Sequence, residues 1–370
     1  MSGPLHGTRV IELAGLGPVP FCAMLLADMG AEILCIAPPL SNAGPAFAPS
    51  DLVQRGRTRL TLDLKQSRPR AALLAAMTHA DVLLEGFRPG VLERLGMGPQ
   101  ECLAANPRLV IGRMTGWGQS GPLATAPGHD SNYLALTGAL HAIGYAGQPP
   151  CPPLNLVADL GGGALYLGLG VLAALLHVRA GGRGQVVDAA MVDGAASLMT
   201  MMYELYGRGL WRDERGHNLL DGGAPFGATY ETADGKYVVV CALEARFYSA
   251  LLAGLGLDER ALPPQHDRAA WPLLRAKLAA VFKTRTRDEW ARLLEGSDAC
   301  VTPVLSMTEA PHHPHNRARQ VFVGGDAALP AAAPRFSGTP TAHAPAAGPS
   351  AEQLLTRWGV DAATLAMLTA

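Results

Sequence analysis

The sequence predicts an α/β protein with a large Rossmann-like parallel-sheet domain and a smaller α/β domain. In the N-terminal half, short apolar segments alternate with helical segments. This βαβ pattern is typical of a parallel sheet with helices on both faces. After about residue 190 the pattern changes, and residues 230–240 form a hairpin pattern with Asp234 and Gly235 at its turn. The change indicates a second domain.

The predicted elements follow one another with short connections. Strands are recognised as aliphatic runs, and helices as longer segments with apolar residues three or four apart. In the first domain we expect strands at 8–13, 31–36, 81–86 and 109–114, with helices at 20–29 and 71–79. After the hairpin, we expect amphipathic helices at 245–254, 269–282 and 287–294.

Changes in composition set the expected domain boundaries. Residues 1–190 are expected to form the first part of the large domain, 191–222 a linker, and 223–311 the small α/β domain. The stretch 327–350 is rich in alanine, proline and glycine, which favours an extended segment, and 350–370 is typical of a helix pair. We therefore expect residues 312–370 to return to the large domain and complete it.

Composition and charge exclude several classes of protein. With 370 residues, 49% hydrophobic and 16% charged, the chain is long and apolar enough for two folded domains, and it is not intrinsically disordered. The formal net charge of -1 provides no general attraction to nucleic acid or to an anionic membrane. Six scattered cysteines without a C-x-x-C pair fit reduced thiols and argue against a structural zinc site. We expect a cytoplasmic protein that binds neither nucleic acid nor a membrane.

Two segments need a specific interpretation. Residues 161–178 carry no charge and are barely long enough to span a bilayer, but a buried core helix has the same composition. We predict the core helix. The turn at residues 15–20 resembles a dinucleotide-binding loop, yet Pro20 replaces its third glycine and no acidic residue follows the second strand. We therefore predict no NAD or FAD site.

Three polar clusters could carry chemistry, and each also has an ordinary structural explanation. At residues 128–133, Asp130 or Ser131 could cap a helix, with His129 in a loop. At residues 155–163, Asp159 could also be a helix cap. The three glycines after it exceed what a cap needs, and they could leave backbone N–H groups free to hold an oxyanion. Glu244 could simply lie in the first turn of a helix.

The chain resembles the family III CoA-transferases (CaiB/BaiF superfamily) nearly from end to end. General family motifs match at 7–15 (GTRVIELAG), 81–90 (DVLLEGFRPG), 114–122 (MTGWGQSGP) and 184–190 (GQVVDAA). Similarity continues at 312–316 (HHPHN) and 333–337 (APRFS). The motifs at 128–133 (GHDxNY), 153–159 (PLNLVxD) and 221–226 (DGGAPF) are most similar to the α-methylacyl-CoA racemase branch.

The resemblance implies a racemase that interconverts (2R)- and (2S)-2-methylacyl-CoA thioesters through an enolate. It makes His129 the base toward one enantiomer and Asp159 the base toward the other, with the enolate oxygen against the Asp159 backbone N–H. Both groups can change protonation state near pH 7 with modest tuning. Glu244 would support the histidine from the other subunit of an interlocked homodimer. CoA is part of the substrate, so neither a cofactor nor a metal is expected.

The CoA phosphates need basic residues. Arg55, Arg57 and Arg59 lie in one stretch, and each could be ordinary surface charge. The family often has a basic residue after the second strand, where this chain has Ala37 and Pro38, so that stretch could supply the missing contact. By resemblance, the segments 62–65 and 86–88 and Arg94 line the CoA site. The full set of predicted substrate and CoA contacts is Arg55, Arg57, Leu62, Asp63, Leu64, Lys65, Gly86, Phe87, Arg88, Arg94, Gly128, Asp130, Asn132, Tyr133, Leu160, Gly161 and Gly162.

Two alternatives stay open. A true CoA-transferase of this fold would use Asp159 as a nucleophile that forms an aspartyl thioester, and it would not need His129. A catalytically silent CoA-binding regulatory protein would not need His129, Asp159 and Glu244 together. The acyl group is also open, because a bile-acid intermediate, a branched fatty acyl chain and a 2-arylpropionyl group all fit. The histidines at 312, 313 and 315 surround a proline in a loop and are not expected to bind metal.

Overall fold

The computed structural model describes residues 3–39, 53–324, 328–341 and 348–369. The chain divides into two compact units, of which unit 1 contains residues 1–137, 153–199 and 331–370. Unit 2 contains residues 138–152 and 200–330. Each unit has its own hydrophobic core.

Unit 1 is built on a six-stranded sheet in the order β3-β2-β1-β4-β5-β6, and all neighbouring strands are parallel. The strands are β1 (Arg9–Leu13), β2 (Glu32–Ala37), β3 (Arg57–Thr61), β4 (Val82–Glu85), β5 (Val110–Thr115) and β6 (Val186–Ala190). The strand order reverses between β1 and β4, and ligands of such sheets bind beyond the carboxyl ends of the strands at this point. The predicted α/β fold with a parallel sheet is confirmed.

Helices pack on both faces of this sheet. Alternate side chains of β1 point to opposite faces, so that Ile11 and Leu13 join a core with Leu73 and Leu355 from the covering helices. The helices of unit 1 are α1 (Pro18–Asp28), α2 (Ser67–Ala76), α3 (Val91–Arg94), α4 (Pro99–Ala105), α5 (Asp130–Ala135), α7 (Leu165–Arg179), α8 (Met191–Leu198), α14 (Ala351–Trp358) and α15 (Ala362–Thr369), with a 3₁₀ turn at Met77–His79.

Two arginines of unit 1 form buried ion pairs. Arg57 Nε lies 2.5 Å from Glu12 Oε2, and both side chains are 1% exposed. Arg57 also donates to the carbonyls of Val53 and Pro20. Arg55 forms a two-point contact with Asp28 at 2.5 and 2.9 Å. Because the guanidinium groups face carboxylates inside the protein, they fix β3 and the turn before it to β1 and α1.

A π-helix, Leu156–Ala164, leads directly into α7. Its glycines permit close packing, since a Cβ on Gly162 would lie 2.5 Å from the Ala195 nitrogen and one on Gly163 would lie 2.9 Å from Met191. By length and composition, the continuous helix Leu156–Arg179 could also cross a membrane, and 44% of its apolar window is buried in the protein. The segment predicted at 161–178 is thus helical, and the helix begins five residues earlier.

Unit 2 contains a three-stranded antiparallel sheet in the order β7-β8-β9. Its strands are β7 (Thr229–Glu231), β8 (Tyr237–Val240) and β9 (Val301–Pro303), and a small pair is formed by β10 (Phe322–Val323) and β11 (Leu329–Pro330). The predicted hairpin is confirmed, with Gly235 at φ 73° in its turn. The helices are α6 (Ala139–Ala142), α9 (Thr200–Gly207), α10 (Ala245–Gly254), α11 (Trp271–Phe282), α12 (Arg287–Leu294) and α13 (Pro314–Ala318), with 3₁₀ turns at Glu259–Ala261 and Ala310–His312.

The units divide the chain at different residues from the predicted domains. Residues 138–152, expected in the large domain, belong to unit 2, and so do residues 312–330. The expected linker at 191–222 contains α8 and α9, and the division falls between them. These boundaries depend on contacts between residues distant in sequence, whereas the predicted ones rested on local composition.

Candidate active site

A cavity of about 250 Å³ opens in unit 1 where β1, β4, β5 and β6 end. It therefore lies at the point where the strand order reverses, the expected place for a ligand in this type of sheet. Its walls come from the segments that follow these strands and from the start of α5. The lining residues are Leu16, Pro18, Val19, Gly86, Phe87, Arg88, Pro89, Met114, Thr115, Gly116, Trp117, Ala124, Ala126, Pro127, Gly128, His129, Tyr133 and Met191.

His129 is an exposed residue of this wall and is itself the N-cap of α5. Its backbone N–H donates to Asn132 Oδ1 at 3.1 Å. The expectation that Asp130 or Ser131 caps this helix is therefore wrong. Asn132 fixes the backbone that carries the imidazole, since its amide oxygen satisfies the N–H group at the helix start.

Tyr133 forms the floor beside the histidine. Its ring packs edge-on against Trp117, with ring centroids 4.8 Å apart, and its hydroxyl donates to the Gly128 carbonyl. A Cβ on Gly128 would lie 2.7 Å from this ring, and one on Gly116 only 2.0 Å from it. The two glycines are thus needed for the tyrosine to close the wall.

Asp159 lies in the π-helix and is half-buried, outside the set of residues that line the cavity. Gly17, at φ 70° between the lining residues Leu16 and Pro18, lies next to it, since a Cβ on Gly17 would be 3.5 Å from Asp159 Oδ2. Burial raises the pKa of the Asp159 carboxyl above its usual value, and the negative charge of Asp130 raises it further. The amide of Asn155, 3.5 Å away, and the charge of His129 act in the opposite direction. Asp159 and His129 are therefore close enough to interact electrostatically.

The backbone around Asp159 differs from the sequence prediction. Its N–H donates to Asp130 Oδ2 at 2.8 Å, so this group is already occupied and its predicted contact with an enolate oxygen is wrong. Asp159 lies inside the helix rather than at its cap. Gly162 and Gly163 are buried against neighbouring residues and do not expose their backbone to the cavity, while Leu160 and Gly161 are half-buried.

Asp130 was predicted to contact the substrate, but the structure buries it away from the cavity wall. It is 5% exposed, and its carboxylate accepts the N–H groups of Ala158 and Asp159. It is absent from the cavity wall, where His129 precedes it and Tyr133 follows it. Its role is therefore to bind the backbone of the π-helix.

The predicted phosphate contacts divide into two groups. Arg55 and Arg57 are held in the buried ion pairs described above, which corrects their assignment, because pairing with phosphate would leave Asp28 and Glu12 buried without their cations. Gly86, Phe87 and Arg88 line the cavity. Beyond β3, the segment of Leu62, Asp63, Leu64 and Lys65 places an exposed lysine at the carboxyl end of the sheet, and Arg94 is exposed at the end of α3.

Glu244 belongs to unit 2, where it is exposed at the N-terminus of α10. Its pairing with His129 stays a prediction. Among the described residues, no three histidine, cysteine or acidic side chains form a cluster able to hold a metal ion. His312, one of the three neighbouring histidines, contacts Arg317 at 3.1 Å.

Sequence reasoning missed the apolar half of the wall, including Leu16, Val19, Trp117 and Met191. A usable signal was present, since each follows a predicted strand or a family motif. The turn at 15–20 lacks the pattern of a dinucleotide-binding loop, but its position after β1 can equally hold a different ligand.

Comparison with known proteins assigns the family. Residues 5–353 match the model of CoA-transferase family III. The chain is 48% identical to alpha-methylacyl-CoA racemase of Mus musculus over 94% of its length and 90% of the relative's, and 44% identical to that of Homo sapiens (96% and 93%). Acetyl-CoA:oxalate CoA-transferase of Acetobacter aceti is 31% identical (92% and 91%). A crystal structure from Mycobacterium tuberculosis superposes with TM-score 0.75 at 26% identity, covering 92% of this chain and 95% of that one. The chain belongs to CoA-transferase family III.

Proposed function

We propose that the protein is a racemase that interconverts (2R)- and (2S)-2-methylacyl-CoA thioesters by proton transfer through an enolate, without a cofactor. The observation that carries the proposal is the His129 imidazole on the cavity wall together with the Asp159 carboxyl in the π-helix, near enough for the two charges to interact. The racemases of mouse and man, to which the chain is 48% and 44% identical, support this choice of reaction.

The reaction needs two groups that flank one carbon, each able to accept or donate a proton. An α-proton is removed by one group, the electron pair moves onto the thioester oxygen, and the other group protonates the opposite face. A carboxyl with a raised pKa is a stronger base when ionised and also carries a proton at higher pH. Asp159 can then act in either direction with the neighbouring imidazole.

The experiment is incubation of a single enantiomer of a 2-methylacyl-CoA in D₂O. We expect deuterium at the α-carbon together with loss of optical purity. His129→Ala and Asp159→Ala should each lower the rate by about 10²–10⁴-fold, the usual contribution of a general acid or base. His315→Ala, at an exposed histidine of unit 2, is the control and should retain the wild-type rate.

Transfer of CoA to a free acid without α-exchange, with a thioester trapped on Asp159, would overturn the proposal in favour of a CoA-transferase. Activity that disappears on dialysis against EDTA and returns with a metal ion would overturn the cofactor-free reaction. Retention of wild-type exchange by either alanine variant would exclude the two-base assignment.

For the CoA phosphates, we retain Lys65, Arg88 and Arg94 as candidate cations, since all three are exposed and Arg88 lines the cavity. Cations with accessible heads can meet a phosphate without abandoning a buried partner. Arg88→Ala should raise KM for the acyl-CoA more than it lowers kcat. An unchanged KM would exclude a contact between Arg88 and the CoA moiety.

We also propose a cytoplasmic homodimer. Leu165, Leu169 and Leu176 lie along one face of α7 and are 53%, 66% and 69% exposed, which is unusual for large apolar side chains on a single helix face. A second copy would cover this face. Light scattering in detergent-free buffer should give twice the chain mass. A monomer that binds liposomes would instead indicate a membrane contact.

The family resemblance adds that the partner subunit's Glu244 supports His129. This part can be tested by subunit complementation. Mixed dimers of His129→Ala and Glu244→Ala chains contain one site free of both substitutions, so activity should reappear on mixing. If mixing restores no activity, Glu244 does not act across the dimer.

A further inference from the structure

Asp130 connects the two segments that carry the acid–base pair. It is the first residue of α5 and directly follows His129. Its Oδ2 accepts the backbone N–H of Ala158 at 2.9 Å and that of Asp159 at 2.8 Å. A single oxygen atom therefore joins the helix start that presents the imidazole to the turn that presents the Asp159 carboxyl.

The other oxygen of Asp130 has no partner. Oδ1 is buried, and no donor among the described residues reaches it. No cation pairs with the carboxylate among the salt bridges of those residues. The residue is 5% exposed, so solvent screens its charge poorly. Two N–H dipoles stabilise the carboxylate, while its negative charge remains in the interior beside Asp159.

We propose that Asp130 is a positioning residue for proton transfer, which ties Asp159 to His129 and places an uncompensated negative charge next to the Asp159 carboxyl. The inference rests on the proposed function. The charge has a chemical consequence, since it disfavours the ionised form of Asp159 and so raises the affinity of that carboxyl for a proton. An ordinary helix cap would supply the backbone contact alone.

Other titratable and charged groups lie on the elements packed against the π-helix. His129 and Tyr133, from the segment of α5, interact with it electrostatically. On α8, the charged residue Asp193 is exposed, and on α1 Asp28 is paired with Arg55. The remaining charged groups of the elements packed against the π-helix are Asp188 of β6, which accepts from Gln119, and His177 and Arg179 in the last turn of α7.

The test uses two substitutions that separate the contact from the charge. Asp130→Asn keeps an oxygen that can accept both N–H groups and removes the charge. We expect kcat to fall while KM stays near the wild-type value, and the acid limb of the kcat/KM profile to move to lower pH. Asp130→Ala removes the contact as well, and misplacement of Asp159 by about 1 Å should then cost on the order of 100-fold in kcat.

The matched control is Asp361→Asn. Asp361 also accepts two backbone N–H groups, those of Ala363 and Thr364, but at the start of α15 and outside the cavity wall. We expect this variant to retain the wild-type pH profile. Thermal unfolding of each variant identifies a loss of fold, and Asp130→Asn keeps the test valid if Asp130→Ala does not fold.

A second measurement does not depend on activity. Carboxyl ¹³C NMR, with Asp159→Asn to assign the signal, should show that Asp159 titrates at lower pH in Asp130→Asn than in the wild type. An unchanged titration and an unchanged acid limb would overturn the inference, and so would a rise in KM with kcat preserved. Failure of the wild type to exchange the α-proton would instead refute the proposed racemase activity, and the NMR titration would still decide the role of Asp130.

Discussion

The contact between Gly194 of α8 and Gly162 of the π-helix predicts a large effect from the smallest possible side chain. A Cβ on Gly194 would lie 1.8 Å from the Gly162 carbonyl oxygen, whereas a carbon and an oxygen in contact stay about 3.3 Å apart. In Gly194→Ala the two helices must therefore separate by about 1.5 Å. Overpacking of this kind costs about 1–3 kcal/mol of unfolding free energy. Gly162 lies three residues after Asp159, so the carboxyl should move with it and the rate should fall on the order of 100-fold.

Urea unfolding and α-deuterium exchange, measured on the same preparation, test this prediction. The matched control is Gly168→Ala on α7, where a Cβ would lie at an ordinary 3.6 Å from Cys22 Sγ. Alanine in place of a helical glycine should stabilise the control by up to about 1 kcal/mol and leave exchange unchanged. If Gly194→Ala kept both the stability and the exchange rate of the wild type, close packing at Gly162 would not position Asp159.

Three further results are expected. Arg57→Ala should lower the unfolding free energy by about 3–5 kcal/mol in urea titrations, because Glu12 would be left buried without its cation; a loss below 1 kcal/mol would contradict the buried pair. Gly17→Ala puts a side chain at φ 70°, so it should lower the unfolding free energy by about 1–3 kcal/mol, and its methyl group, 3.5 Å from Asp159 Oδ2, should move the acid limb of the kcat/KM profile to higher pH; unchanged stability or a shift to lower pH would contradict this. Burial raises the pKa of the Cys22, Cys35 and Cys102 thiols to about 12, so iodoacetamide at pH 8 should leave these three unmodified. Mass spectrometry should find the label on the exposed Cys151 and Cys241 instead.

The sequence predicted the strands in which apolar residues predominate. β1, β2, β4 and β5 are mostly apolar because both faces of the sheet are covered, although each also holds a charged residue, such as Glu12 in β1 and Arg113 in β5. β3 and β6 were missed. In β3, RTRLT alternates charged and polar residues, and Arg57 is buried only because Glu12 lies next to it. A pair formed by residues 45 positions apart leaves no local periodic signal.

At the site, family motifs predict His129 and Asp159 as the acid–base pair, but the local contacts were not predictable from spacing. Asp130 was expected in a substrate contact, and it instead binds two N–H groups 28 and 29 residues away. The glycines after Asp159 were expected to expose backbone, and Gly162 instead accommodates a neighbouring helix. In both cases the contacting residue comes from a distant part of the chain. The local sequence alone therefore does not distinguish a structural role from a contact with substrate.

The π-helix at 156–164 also restricts how this segment can vary in length. A π-helical turn contains more residues than an α-helical one, so it gives a segment of given length fewer turns. Loss of one residue between Asp159 and α7 could restore regular α-helix, but it would rotate the carboxyl around the helix axis relative to the sheet. In related chains, we therefore expect insertions and deletions to be excluded from these nine positions even where the apolar side chains themselves change.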